Sequence, residues 1–342
     1  LADYIVVIPI PKFIIHENFN YCKIDFIRPW AIYQDNLFIK FPWLVNLAEE
    51  EPIEDITFSE GIIHIFEDGN SNNNLSKLIS ASTEIDGSMF FNYTLVSFRI
   101  TDNEFIFENP TRESDERFFT SSISYIDSIL DIIRVDYCRF DIPHTAIGCP
   151  GFIQEINKRG LFVYSITDER GRIIAREDEN VIIVPGEGLE LDGLQSDNVL
   201  KCLVEESYTP DLLGAKLQKL LRIFGTCITL PTDEIKILTA IFALDGLLTP
   251  SRAQSDEFKK AVAKLISDDA YSYSSELARF RDYYKNVRNS FVHHGLSYEE
   301  LGRNRKKDLH YIQSLVVRLL YKLVEKRNEK FDSYWSNLIA LL

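Results

Sequence analysis

The densest group of chemistry-bearing side chains is Arg288-Asn289-Ser290-Phe291-Val292-His293-His294-Gly295. An imidazole titrates near pH ~6.5 when unperturbed, so His293 can give and take protons at neutral pH. A guanidinium presents a fork of donors, so Arg288 can clamp a phosphate. Asn289 can orient either group or hold a substrate. The same residue types have a plainer use, an ion pair between Arg288 and an acidic neighbour beside a capping histidine. Asp282 has two readings: it neutralises Arg281 or Arg288, or it takes part in catalysis. His294 falls near the edge of the apolar seam and reads as a packing or supporting residue.

The element that must position this group is a long helix. Leu277, Phe280, Tyr284, Val287 and Phe291 recur at steps of three and four, the seam of one helical face. At about 100° per residue, Arg288, Asn289 and His293 share the opposite side, with Val292 interrupting it as a contact for a second subunit. Gly295 suits the left-handed residue that closes a helix. A second seam, Leu309, Ile312, Val316, Leu319 and Leu323, predicts a partner helix packed antiparallel to the first. The basic run Arg303, Arg305, Lys306 and Lys307 opens that second helix. It is either a solvated helix start or a seat for RNA phosphates.

Other helices are predicted upstream. Thr209-Pro210 reads as an N-cap before the stripe Leu213, Leu217, Leu220 and Phe224. Thr232 caps a next helix that opens on Asp233 and Glu234, and a third spans about 255–267. A last short helix runs from Phe331, with Tyr334, Trp335, Leu338 and Ile339 forming a cap.

Residues 1 to about 190 read mainly as strand. Residues 4–10 are nearly all apolar, as in a strand buried on both faces, and further candidates lie near 22–29, 36–40, 60–66, 90–100 and 104–107. Phe162, Tyr164 and Ile166 run into a turn at Asp168-Glu169-Arg170-Gly171, with Val181–Val184 as the expected second arm. One helix interrupts this part, with Ile123, Ile126, Leu130, Ile133 and Tyr137 on one face. Gly69–Asn74 and Pro110–Arg117 read as polar loops. The turn-rich Pro185-Gly186-Glu187-Gly188 stretch marks a linker. The reading is therefore α+β: a β-rich domain over 1–195 followed by an all-α bundle over 196–342.

The chain has 342 residues, 45% hydrophobic, with a net charge of -15. That charge is uneven. Residues 201–342 hold 22 basic and 18 acidic residues, against 15 basic and 34 acidic in 1–200. Whole-chain acidity therefore does not argue against a nucleic-acid partner for the second part. No apolar run reaches the ~18 residues of a membrane span. The opening LADYIVVIPIP lacks the basic stretch and longer apolar core of a secretory leader. Five cysteines without a CxxC pair argue against a disulfide framework or a cysteine zinc site, which points to a cytoplasmic protein. His16, His64 and His144 are scattered without HExxH spacing, and the acidic clusters Glu49-Glu50-Glu51 and Glu54-Asp55 lack a calcium-loop pattern. No dinucleotide, Walker or Gly-x-Ser-x-Gly motif occurs.

Residues 200–342, and Arg288–Gly295 above all, resemble the HEPN superfamily (higher eukaryotes and prokaryotes nucleotide-binding domains). Its ribonuclease branch is marked by an arginine, four to six residues, then a histidine, with a polar residue often following the arginine. Arg288, Asn289 and His293 fit that pattern, and Val292-His293-His294-Gly295 is similar to the Apea-like group found in bacterial defence against phages. The resemblance implies an endoribonuclease that needs no metal or cofactor and leaves a 2',3'-cyclic phosphate. It also implies a homodimer in which two copies of the motif form one cleft. The β-rich domain would then select the RNA or sense a phage-derived or cellular trigger, and restrain a toxin. Opposite charge of the two halves would allow the first to limit RNA access to the second, so that removing 1–195 increases cleavage. From another class comes a non-catalytic dimerisation or nucleotide- or RNA-binding module, with recognition by the β domain.

Overall fold

The computed structural model describes residues 3–27, 93–150, 158–168, 170–177, 188–194, 198–248, 255–295 and 297–341. The expected strands at 36–40 and 60–66, the loop at Gly69–Asn74, the acidic clusters, His64 and Val181–Val184 lie outside these residues. The fold is α+β, and the chain divides into two compact units. One comprises Leu1–Asp127 with Ile147–Ser196, the other Ser128–Ala146 with Asp197–Leu342. The helical unit thus recruits a segment from the N-terminal half as well as the chain beyond 196.

The first unit is built on a six-stranded antiparallel sheet. Its strands are β1 (Asp3–Ile10), β3 (Phe19–Tyr21), β4 (Ile24–Ile27), β5 (Thr94–Thr101), β6 (Lys158–Ser165) and β7 (Arg170–Glu177), in the order β3-β4-β5-β1-β6-β7. Short strands β2 (Phe13–Ile15) and β8 (Leu189–Leu191) pair in parallel as a separate ladder. As its apolar run predicts, β1 is buried on both faces and lies between β5 and β6. The hairpin turns earlier than expected: Ser165 pairs with Arg170, so the second arm is β7, not Val181–Val184. A Cβ on Gly171 would lie 2.2 Å from the Phe162 ring, so this close cross-strand fit requires glycine. Arg172 then donates to both oxygens of Asp115, at 2.8 and 2.5 Å.

Two more expectations change here. Residues 104–107 form no strand, because Asp102 accepts from the amides of Glu104 and Phe105 and turns the chain. Phe105 instead stacks on Phe118 and meets Tyr4 edge-on. Pro110–Arg117 is not all loop either. Helix α1 (Arg112–Tyr137) begins inside it, with the Thr111 hydroxyl accepting from the Ser114 amide and Glu113 and Asp115 in the first turn.

In the helical unit the end of α1 is buried all round from Ile129 to Val135, including Asp131 and Arg134. These charges are paired: Arg134 donates to Asp131 at 2.5 Å, and Arg222 reaches the same carboxylate at 2.9 Å. The remaining helices are α2 (Cys202–Glu205), α3 (Leu213–Thr229), α4 (Asp233–Leu248), α5 (Ser255–Ile266), α6 (Ala270–Asp282), α7 (Asn289–His294), α8 (Arg305–Leu323) and α9 (Phe331–Ala340). Leu213, Leu217, Leu220 and Phe224 are buried as their spacing predicts. Thr209-Pro210, however, forms a turn ahead of α3, whose N-cap is Leu212. Thr232 does cap α4, accepting from the Ile235 amide at 3.4 Å. Helix α8 lies chiefly against α4 rather than seam-to-seam against α6. It still meets α6 and the turn after it antiparallel through polar contacts: Arg318 and Tyr311 donate to Glu276, and Tyr283 donates to Asp308.

No disulfide joins the cysteines among the described residues. No helix among the described residues is long and apolar enough to cross a membrane.

Candidate active site

Helix α6 starts at a capping box in which Asp269 accepts from the Ser272 amide at 2.7 Å. The helix continues to His294, but through a π turn at Tyr283–Arg288 rather than as unbroken α-helix. The seam spacing predicts only Tyr284 inside; Tyr283 and Tyr284 are both buried. Each is held from its own side. Tyr283 donates to Asp308 at 2.5 Å and packs on Tyr311, whereas Tyr284 meets Phe280 edge-on. Five-residue hydrogen bonding widens the turn enough to seat two neighbouring rings, and such turns recur at functional sites.

Arg288 closes that turn. Its guanidinium donates to Asp245 on α4 at 3.3 Å and to the Asn289 side-chain oxygen at 3.1 Å. Its Nε is buried without a hydrogen-bond partner among the described residues. The Arg288 side chain as a whole is 28% exposed, so it is not closed off from solvent. Burial, then the nearby Asp245 carboxylate, push the Tyr284 phenol up, so it stays protonated. Arg288 and Asn289, neighbours in sequence, are hydrogen-bonded to each other, and the acidic neighbour is Asp245.

The backbone of His293 lies in the last turn of the helix, one turn beyond Asn289; the placement of its side chain and that of Val292 lies outside the description. Gly295 closes the helix in the left-handed conformation, φ 63°, with its amide donating to Phe291. His294 is exposed, not packed at the seam edge.

Asp282 pairs with neither Arg281 nor Arg288. It accepts from Arg303 at 2.7 Å and from Asn286 at 2.6 Å, while Arg281 grips both oxygens of Asp256. Arg303 also donates to Asp308 at 2.7 Å, so two carboxylates occupy the guanidinium expected to bind RNA. Arg305 is likewise paired, with Glu234 at 2.5 Å and Asp233 at 3.5 Å. Asn304 caps α8 by accepting from the Lys307 amide, and Lys306 and Lys307 are the exposed members of the basic run without ion pairs among the described residues. The basic run is thus half structural. Its arginines tie the segment after Gly295 to neighbouring helices because carboxylates from distant positions converge on them.

Sequence reasoning missed Asp245. A single acid inside the apolar run Ile241-Phe242-Ala243-Leu244-Asp245 was the available signal, since such a position needs a partner. Among the described residues no group of three or more His, Cys, Asp or Glu side chains is placed to hold a metal ion. No family model, curated protein or solved structure matches the chain.

Proposed function

We propose that the protein is a HEPN-type endoribonuclease, acting as a homodimer of its helical unit and serving as a toxin-like effector in defence against phages. In this reading a base removes the ribose 2'-OH proton, the 2'-oxygen attacks phosphorus, and the bond to the 5'-oxygen breaks. An acid returns a proton to that leaving oxygen, and a 2',3'-cyclic phosphate remains. His293 is the proton-transfer group. Arg288 meets the charge developing on the phosphoryl oxygens, and Asn289 orients it. A second copy supplies the second imidazole.

The observation that supports this reading best is the state of Arg288. Asp245 and Asn289 hold it from two sides, yet its Nε has no hydrogen-bond partner among the described residues and its side chain is 28% exposed, on the helical segment that ends at His293 and His294. A purely structural arginine would have its fork filled, as Arg303 does.

The test compares wild type, Arg288→Ala and His293→Ala on labelled RNA in EDTA, with mass spectrometry of the new ends and a solution measurement of size. Wild type should cleave to a cyclic phosphate as a dimer, and each variant should lose about a hundredfold or more. Inert wild type, or cleavage that both variants retain, rejects the assignment. The full chain is required: deleting 1–195 would also remove Ser128–Ala146, with the buried Asp131 and Arg134, from the helical unit.

A further inference from the structure

Beside Arg288 stands a cation that neither the motif nor its spacing singles out. Lys259, on α5, is half-buried, and its ammonium sits 4.8 Å from the centre of the Tyr284 ring. Tyr284 precedes Arg288 by four residues in the π turn, and the Arg288 charge is felt by both the Tyr284 phenol and the Lys259 ammonium. We propose that Lys259 and Arg288 form a two-cation subsite that binds backbone phosphate of single-stranded RNA.

The local charge balance supports this. Asp256, three residues before Lys259, is gripped through both oxygens by Arg281 and also pairs with Lys260 at 3.2 Å. Asp245 pairs with Arg288. Both of these carboxylates are thus engaged by cations other than Lys259. Among the described residues Lys259 makes no ion pair within 4 Å; its partner is an aromatic face. Burial is the main influence lowering its pKa, with Asp256 and Asp245 opposing and Arg281 and Arg288 adding to it. A phosphate between Lys259 and Arg288 would give this half-buried ammonium an ionic partner, whereas a water-exposed lysine would need none. The ring fixes the ammonium at low entropic cost, as cation–π contacts do.

The choice of RNA as the anion rests on the proposed nuclease reading, and the experiment separates the two. Binding of a labelled single-stranded RNA is measured by fluorescence anisotropy over a range of salt, in the His293→Ala background so that the probe stays intact. Adding Lys259→Met should weaken binding severalfold and make the log affinity against log salt slope shallower by about 0.7, the value of one lost phosphate contact. Lys259→Arg should restore the slope. Lys264→Met, an exposed change on the same helix, should leave it unchanged. Equal slope and affinity for Lys259→Met and its parent, at equal thermal midpoints, overturn the subsite even if wild type cleaves RNA. A Lys259-dependent slope in a protein whose wild type does not cleave keeps the subsite and rejects the nuclease.

Discussion

Removing Asp245 separates what positions Arg288 from what holds the fold. The pair is 3.3 Å apart, and its side chains are 28% and 33% exposed. At that separation Coulomb's law gives about 1.3 kcal/mol in bulk water. Solvent screening and the entropy of holding two side chains reduce the net to between about 0 and 1 kcal/mol. Asp245→Ala should therefore lower the thermal midpoint by no more than about 4 °C. Its effect on cleavage should be far larger. Asn289 alone would steer the guanidinium, and a displacement of about 1 Å at a reacting centre costs about a hundredfold. That loss corresponds to about 2.7 kcal/mol in the barrier. Asp245→Asn, which keeps an acceptor in place, should fall between wild type and Ala. Single-turnover RNA cleavage alongside thermal unfolding checks this. Wild-type cleavage by Asp245→Ala, or a loss matching only the fraction unfolded, would refute the positioning argument.

Three further outcomes follow from the helical unit. Gly225→Ala would place a Cβ 1.6 Å from the Asp131 carboxylate and drive it off the buried Arg134; urea unfolding should show a loss of about 3–5 kcal/mol. Arg303→Met should destabilise the protein by about 2–3 kcal/mol, because Asp308 is left buried with Tyr283 as donor, yet should leave the salt dependence of RNA binding unchanged. A shallower slope instead would return Arg303 to the RNA-binding surface. Hydrogen bonds from Arg327 and then Tyr208 hold the Glu206 carboxyl below its ordinary value of 4.5. The unfolded chain therefore takes up this proton first as pH falls. The thermal-midpoint gap between wild type and Glu206→Gln should be constant from neutrality to about pH 4.5 and close below it.

Several expectations that rested on a local pattern hold, although the cap at Thr209-Pro210 and the strand at 104–107 do not. The apolar run of β1, the stripe of α3, the cap at Thr232 and the left-handed Gly295 each depend on burial or backbone geometry within a few residues. Where the outcome depended on a distant partner, expectation and structure part. The hairpin's second arm is anchored by Asp115, and the arginines of the basic run are claimed by Asp282, Asp308, Asp233 and Glu234. A helical wheel cannot foresee the π turn. That turn accompanies the burial of two adjacent tyrosines, with Asp308 and Tyr311 against one and Phe280 and Lys259 against the other.

By itself the sequence determined where the residues of the proposed chemistry lie along the chain, because Arg288, Asn289 and His293 fall within six residues of one helical segment closed by Gly295. It also determined most elements, because hydrophobic period and turn residues act over a few positions. Tertiary structure alone decided which acid meets Arg288, which cations stay available and which segment from the N-terminal half completes the helical core. Those outcomes turn on charges and rings separated by tens of residues, whose interaction energies exist only after folding has brought them within a few ångströms.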